Sequence, residues 1–121
     1  MGDRFDRLNL FALKQTPTVA HQGNGEVLFN RMATQQTLSG ACNFIDFTTM
    51  PPGTSIGAHT HNTREEEFYL VLGGTGRMRK DGDWFDVNPG DFIRNPPGGS
   101  HELVNCGEAD LQLFVFELSV L

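Results

Sequence analysis

A single residue separates His59 from His61, and three consecutive glutamates, Glu65, Glu66 and Glu67, follow almost at once. In a strand, side chains at i and i+2 point to one face. On a helix the same pair would diverge, and the glycines and prolines nearby argue against a helix. Two imidazoles on one face suit a metal ion, since imidazole accepts Zn, Fe, Ni, Cu and Mn. A hairpin-like return through Asn62-Thr63-Arg64 would bring a glutamate beside them. A third histidine, His101, follows the turn Pro96-Pro97-Gly98 at the start of another strand-like run. Taken singly, a His-x-His is most often a surface pair and a glutamate run a solvated face. Three histidines and a carboxylate, each at a strand start beside a turn, instead make a closed set of ligands.

The elements that must position these residues read as short strands. Residues 41–47 (ACNFIDF) alternate partly, as a half-buried strand does, and Met50-Pro51-Pro52-Gly53 stops that run. Residues 68–72 are aromatic and branched, suited to a pleated surface. Runs at 77–80 and 83–87 flank Asp81-Gly82, the dipeptide of a tight hairpin turn. Asn88-Pro89-Gly90 marks another turn, and runs at 92–95, 101–105 and 111–118 complete the series. Residues 1–24 are polar and mixed, with room for a helical turn or an edge strand. No helical period is sustained anywhere. Many short strands at near-regular spacing imply an all-β sandwich or barrel.

Composition narrows the classes of function. The chain has 121 residues, 38% of them hydrophobic and 20% charged, which fits one globular domain. A net charge of −6 with scattered basic residues argues against a nucleic-acid partner. No apolar run approaches the ~20 residues of a membrane span, and the start Met1-Gly2-Asp3-Arg4-Phe5-Asp6 lacks a myristoylation signal. Two cysteines, Cys42 and Cys106, stand at no zinc-like spacing and nothing demands a disulfide. With no signal peptide in view, the expected location is cytoplasmic.

Two motifs now combine. Gly53, His59 and His61 fit the pattern Gly, five residues, His-x-His, then a glutamate and a glycine with six residues between them. Gly90, Pro96, Gly98, His101 and Asn105 match every position of Gly, five residues, Pro-x-Gly, two residues, His, three residues, Asn. Through these motifs, over residues 53–105, the chain resembles the cupins, specifically a small single-domain cupin 2 (conserved barrel) protein. The spacing alone admits Glu66 with Gly73. The family's usual aromatic and Val-Leu-x-Gly-x-Gly continuation fits Tyr69-Leu-Val-Leu-Gly-Gly74-Thr-Gly76 only if Gly74 is the motif glycine. That register makes Glu67 the ligand and adds one residue to the preceding loop, where insertions are tolerated. Glu66 and Glu67 cannot both point inward from a regular strand.

The resemblance implies an antiparallel jelly-roll barrel of six to eight strands, one domain spanning 1–121, with residues 1–40 as N-terminal arm and strands. It implies one divalent transition metal (Fe, Mn, Ni or Zn) held by His59, His61, Glu67 and His101, and a homodimer. Alternation from Glu67 places Tyr69 and Val71 inward; alternation from His101 places Leu103 and Asn105 inward. Phe44, Phe92, Phe114 and Phe116 are candidates for lining a cavity. The expected function is metal-dependent chemistry of dioxygenase, isomerase, decarboxylase or lyase type on a small oxygenated metabolite. The alternatives are a non-catalytic module that binds or senses a small molecule or sugar, and a structural dimer with a vestigial site. Tyr69 is the candidate catalytic side chain, to orient substrate or shuttle a proton, against a core tyrosine tied to backbone. His21 reads as a surface-loop histidine, and Arg77, Arg79 and Arg94 as solvated.

Overall fold

The computed structural model describes residues 5–121. The Met1–Arg4 part of the start discussed above lies outside the described residues. Ten strands follow one short 3₁₀ turn at Leu10–Ala12: β1 (Thr16–Thr18), β2 (Val27–Thr34), β3 (Cys42–Met50), β4 (Ser55–Thr60), β5 (Glu65–Gly73), β6 (Gly76–Lys80), β7 (Asp83–Val87), β8 (Phe92–Asn95), β9 (Ser100–Val104) and β10 (Leu111–Ser119). They form a six-stranded sheet in the order β1-β2-β3-β10-β5-β8 and a four-stranded sheet in the order β4-β9-β6-β7. Every pairing among them is antiparallel. The two sheets close face to face as a jelly-roll barrel.

The strand count exceeds the six to eight expected. The excess arises at the sheet edges: β1 is a three-residue edge strand, and β7 exists because Asp81-Gly82 turns β6 back on itself. Asp81 (φ 49°) and Gly82 (φ 93°) both take the left-handed region that a primed hairpin turn requires. Lys80 pairs with Asp83 across it.

The alternation of the strands decides what faces the barrel interior. In β5 the buried residues are Glu67, Tyr69 and Val71; in β10 they are Leu111, Leu113, Val115 and Glu117. Leu103 and Asn105 are 1% and 0% exposed, inward as alternation from His101 requires. The apolar core between the sheets joins Met50, Met78, Val87 and Leu103 with Tyr69, Val71, Leu111, Leu113 and Val115. The Asn105 side chain donates to the carbonyls of Met50 and Ala109 at 2.8 Å each, tying the turn after β3 to the turn before β10. That network ties together the end of β9 opposite the one that bears His101.

Gly74 shows why the longer register of the first motif holds. Its φ is 78°, and a Cβ there would meet the Asp110 carbonyl oxygen at 2.1 Å. Gly73 has ordinary backbone and ample room, with Gln112 at 3.6 Å as its nearest neighbour. The residue that must be glycine is therefore Gly74, seven after Glu67.

Candidate metal centre

β4 delivers His59 to the interior, with His61 one residue past its end, and β9 delivers His101, which pairs directly with His59. A bulge between Ile56 and His59 re-aims the end of β4. The ring of His59 donates from Nδ1 to the Gly57 carbonyl at 2.8 Å, which leaves Nε2 without a proton and free to bind a cation. Glu67 reaches across from the other sheet. Its Oε1 lies 3.2 Å from His61 Nε2 and 3.4 Å from His101 Nε2. One donor atom from each of His59, His61, Glu67 and His101 lies within 4.8 Å of all the others, a set that could hold a metal ion. His61 Nε2 and Glu67 Oε1 are buried without a well-formed hydrogen bond. Such atoms are rare in folded proteins, and a cation among them would satisfy both. The donor set therefore fits a first-row transition ion.

The electrostatics match that use. Burial lowers the His59 pKa to about 4, so its imidazole is neutral at pH 7. Burial also works to raise Glu67, but contacts with His101 and His61 outweigh it and hold the carboxyl at about 2. Glu66 points outward instead, and Arg94 donates to its Oε2 at 2.7 and 2.8 Å. Behind His61, Nδ1 lies 3.6 Å from Glu65 and 3.9 Å from Glu117. Burial, with the neighbouring carboxylates, raises Glu117 to about 6, and Asn43 donates to it at 2.9 Å.

Tyr69 is 3% exposed and its hydroxyl lies 3.3 Å from His101 Nε2. The tie to backbone weighed from sequence is replaced by this contact at the histidine cluster. Burial and the Glu67 charge push its pKa well above the usual value, so the hydroxyl keeps its proton.

Other placements differ from expectation. His21 is on an exposed loop, as read, but its ring is stacked on His59, with centroids 3.5 Å apart and planes within 7°. It thus lines the space before the cluster. Of the four phenylalanines proposed for the cavity, only Phe44 lines it. Phe92, Phe114 and Phe116 alternate to the outer face of the larger sheet, where Phe92 and Phe116 stack with Phe68 and Phe114 lies tilted against Phe116. Arg77, Arg79 and Arg94 are in partly exposed surface ion pairs. Cys42 and Cys106 are both free.

A cavity of about 190 Å³ extends from Glu67 and Tyr69 into the barrel. Its walls include Phe44, Val115 and an ion pair that sequence reading missed. Arg31 donates to both oxygens of Asp46, at 2.9 and 3.1 Å, and lies 4.1 Å from the centre of the Phe44 ring. A signal existed: Val27, Phe29 and Arg31 alternate on one face of β2, as do Phe44, Asp46 and Thr48 on β3. Asp46 thus follows the apolar residues inward, and the more exposed Arg31 reaches over to it.

Comparisons with known proteins agree with this architecture. The "Oxalate-binding protein" of Thermotoga maritima is 29% identical over 90 residues, 74% of each chain. A Thermotoga maritima crystal structure described as a predicted oxalate decarboxylase superposes with a TM-score of 0.89 at 23% identity, covering 94% of this chain and 99% of that one. A cupin 2 conserved barrel domain protein from Salinispora arenicola superposes with a TM-score of 0.70 at 19% identity, over 98% and 90% of the two chains. The cupin domain family model matches residues 46–117, a span that holds every one of the four clustered residues, and the chain belongs to the cupin family.

Proposed function

We propose that this cupin is a metal-dependent enzyme acting on a small oxygenated molecule, with His59, His61, Glu67 and His101 as the ligands of one divalent ion. The convergence of four donor atoms within 4.8 Å, beside an inner cavity, carries that reading. Bound there, Fe, Mn, Ni or Zn would supply Lewis-acid polarisation of a substrate oxygen. The chain's own groups do the rest. Tyr69, kept protonated, is the group that donates a hydrogen bond or a proton to a substrate atom in the cavity. Phe44 and Val115 exclude water, and the Arg31–Asp46 pair offers polar contacts at the far wall. The name of the 29% identical relative favours a small carboxylate as ligand. Dioxygenase, isomerase, decarboxylase and lyase chemistry are the reaction types compatible with such a site.

A second reading is binding without turnover. It is favoured by that relative's name, which refers to binding, and by Tyr69, which cannot serve as a base while it holds its proton. One experiment separates the two. Metal content is measured by elemental mass spectrometry on untagged protein, and small carboxylates, oxalate among them, are screened by thermal shift and product analysis. About one equivalent of metal with product formation supports the enzyme. A thermal shift without product supports the binding module. Absence of metal, with no uptake on reconstitution, defeats the enzyme reading and leaves a binding or structural barrel.

Two further expectations belong here. A homodimer is supported by the outer aromatic face, where Phe92 is 60% exposed and stacks at 5.5 Å on Phe68; contiguous apolar patches mark association surfaces. A cytoplasmic location is supported by two free cysteines. No helix among the described residues is long and apolar enough to cross a membrane.

A further inference from the structure

Asn95 ends β8 and is 1% exposed. It lies directly opposite Glu67 across the β5–β8 pair, and Glu117 lies opposite Glu67 on the β10 side. Directly opposed residues of antiparallel strands point to one face. Glu117, Glu67 and Asn95 therefore form an inward row with the carboxylate of the metal centre in its middle. Neither the amide nitrogen nor the amide oxygen of Asn95 has a hydrogen-bond partner. A buried amide left so forfeits its hydration without replacement, which is why nearly all are paired.

Among the described residues, the buried side-chain atoms in this condition belong to four residues only: His61, Glu67, His101 and Asn95. Three of these are candidate ligands, and the fourth is the cross-strand neighbour of one of them. Apolar packing alone does not call for an amide here, since Ile93, two residues earlier on the same face, packs against the core. We infer that Asn95 is a positioning residue of the metal centre, its amide supporting the Glu67 carboxylate and finding its partners when that carboxylate holds an ion. An amide can donate to the carboxylate without adding a second negative charge beside it. Groups that orient a ligand in this way commonly change metal affinity by about 10- to 100-fold.

This inference rests on the metal-binding reading, and its test separates the two. Metal-free wild type, Asn95→Leu and Asn95→Ser are titrated with Co²⁺, followed by visible absorption, and their metal-free thermal unfolding is measured. Leucine is close to asparagine in size and has no polar side-chain atom. The expected result is metal-free Asn95→Leu unfolding at or above the wild-type temperature, with Co²⁺ bound about 10- to 100-fold more weakly by both variants. Unchanged Co²⁺ affinity in either folded variant overturns the role. A fall in metal-free stability of an Asn95→Leu protein that still folds also overturns it, because the amide is then satisfied within the fold itself. If Asn95→Leu fails to fold, Asn95→Ser decides: weakened Co²⁺ binding at wild-type metal-free stability supports the role, and any other result overturns it. Wild type that binds no Co²⁺ defeats the metal-binding reading instead.

Discussion

Glu66 and Glu67 are adjacent, alike in chemistry and opposite in position. One is paired with Arg94 on the outer face; the other sits among histidines. Glu67→Gln should therefore strip metal from the purified protein, read by elemental mass spectrometry. Glu66→Gln should leave metal content unchanged and alter stability by no more than about 0.5 kcal/mol, as surface changes do. Tyr69→Phe removes a buried hydroxyl that contacts His101, and should cost about 1 kcal/mol in urea unfolding of the metal-free protein. At this scale the motif histidines were legible, because i, i+2 spacing and the Pro-x-Gly turn are local signals. Glu67 was legible through Gly74. The stacking of His21 on His59 was not, since the two residues are 38 apart and meet only through the tertiary path of the chain. Alternation put Arg31 and Asp46 each on a definite strand face, but their pairing emerged only when the β2–β3 register aligned them.

The strands were legible where a turn residue has a single physical solution. Asp81-Gly82 fixed β7 to the residue and β6 to within one. Elsewhere boundaries moved. The run expected at 41–47 continues to Met50, because Thr48, Thr49 and Met50 pair with the start of β10. No local signal announces that pairing. The phenylalanines of β8 and β10 were misplaced for a related reason: period-2 patterning separates two faces but does not say which is inside when both are apolar. Val115 and Leu113 took the interior, and Phe114 and Phe116 the outside. The glycines after β5 give a test of the element itself. Gly74→Ala forces a Cβ to within 2.1 Å of a carbonyl oxygen at positive φ, whereas Gly73→Ala meets nothing closer than 3.6 Å. Urea unfolding should show a loss of more than about 1 kcal/mol for Gly74→Ala and a clearly smaller change for Gly73→Ala.

Over the whole molecule, the candidate ligands come from both sheets: His59 from β4, His61 from just past its end, His101 from β9 and Glu67 from β5. An ion at the centre would clamp one sheet to the other. Chelation should therefore lower the thermal midpoint of loaded protein, by the equivalent of about 2.7 kcal/mol when free metal had stood at a hundredfold its Kd. Differential scanning calorimetry with and without chelator checks this, and a midpoint that ignores chelator speaks against a bridging ion. The outer face carries its own expectation. Phe116 touches Phe68 and lies near Phe92 and Phe114, so Phe116→Glu should shift the protein to monomer in sedimentation analysis while leaving metal content intact. The fold class was legible from strand spacing and turn chemistry, whereas the homodimer came only as an implication of the resemblance, since association depends on which apolar face remains uncovered. One feature of the topology reaches back to the making of the chain. β10 is the last strand in sequence yet stands between β3 and β5 in the larger sheet. Before residues 111–119 leave the ribosome, the half with Arg31 and Asp46 shares no hydrogen-bonded strand with the half that bears Glu67. Without β10 the larger sheet consists of two separate pieces, β1-β2-β3 and β5-β8. This nine-residue strand does not trim an edge but joins the halves, so a polypeptide released short of it has its larger sheet split down the middle.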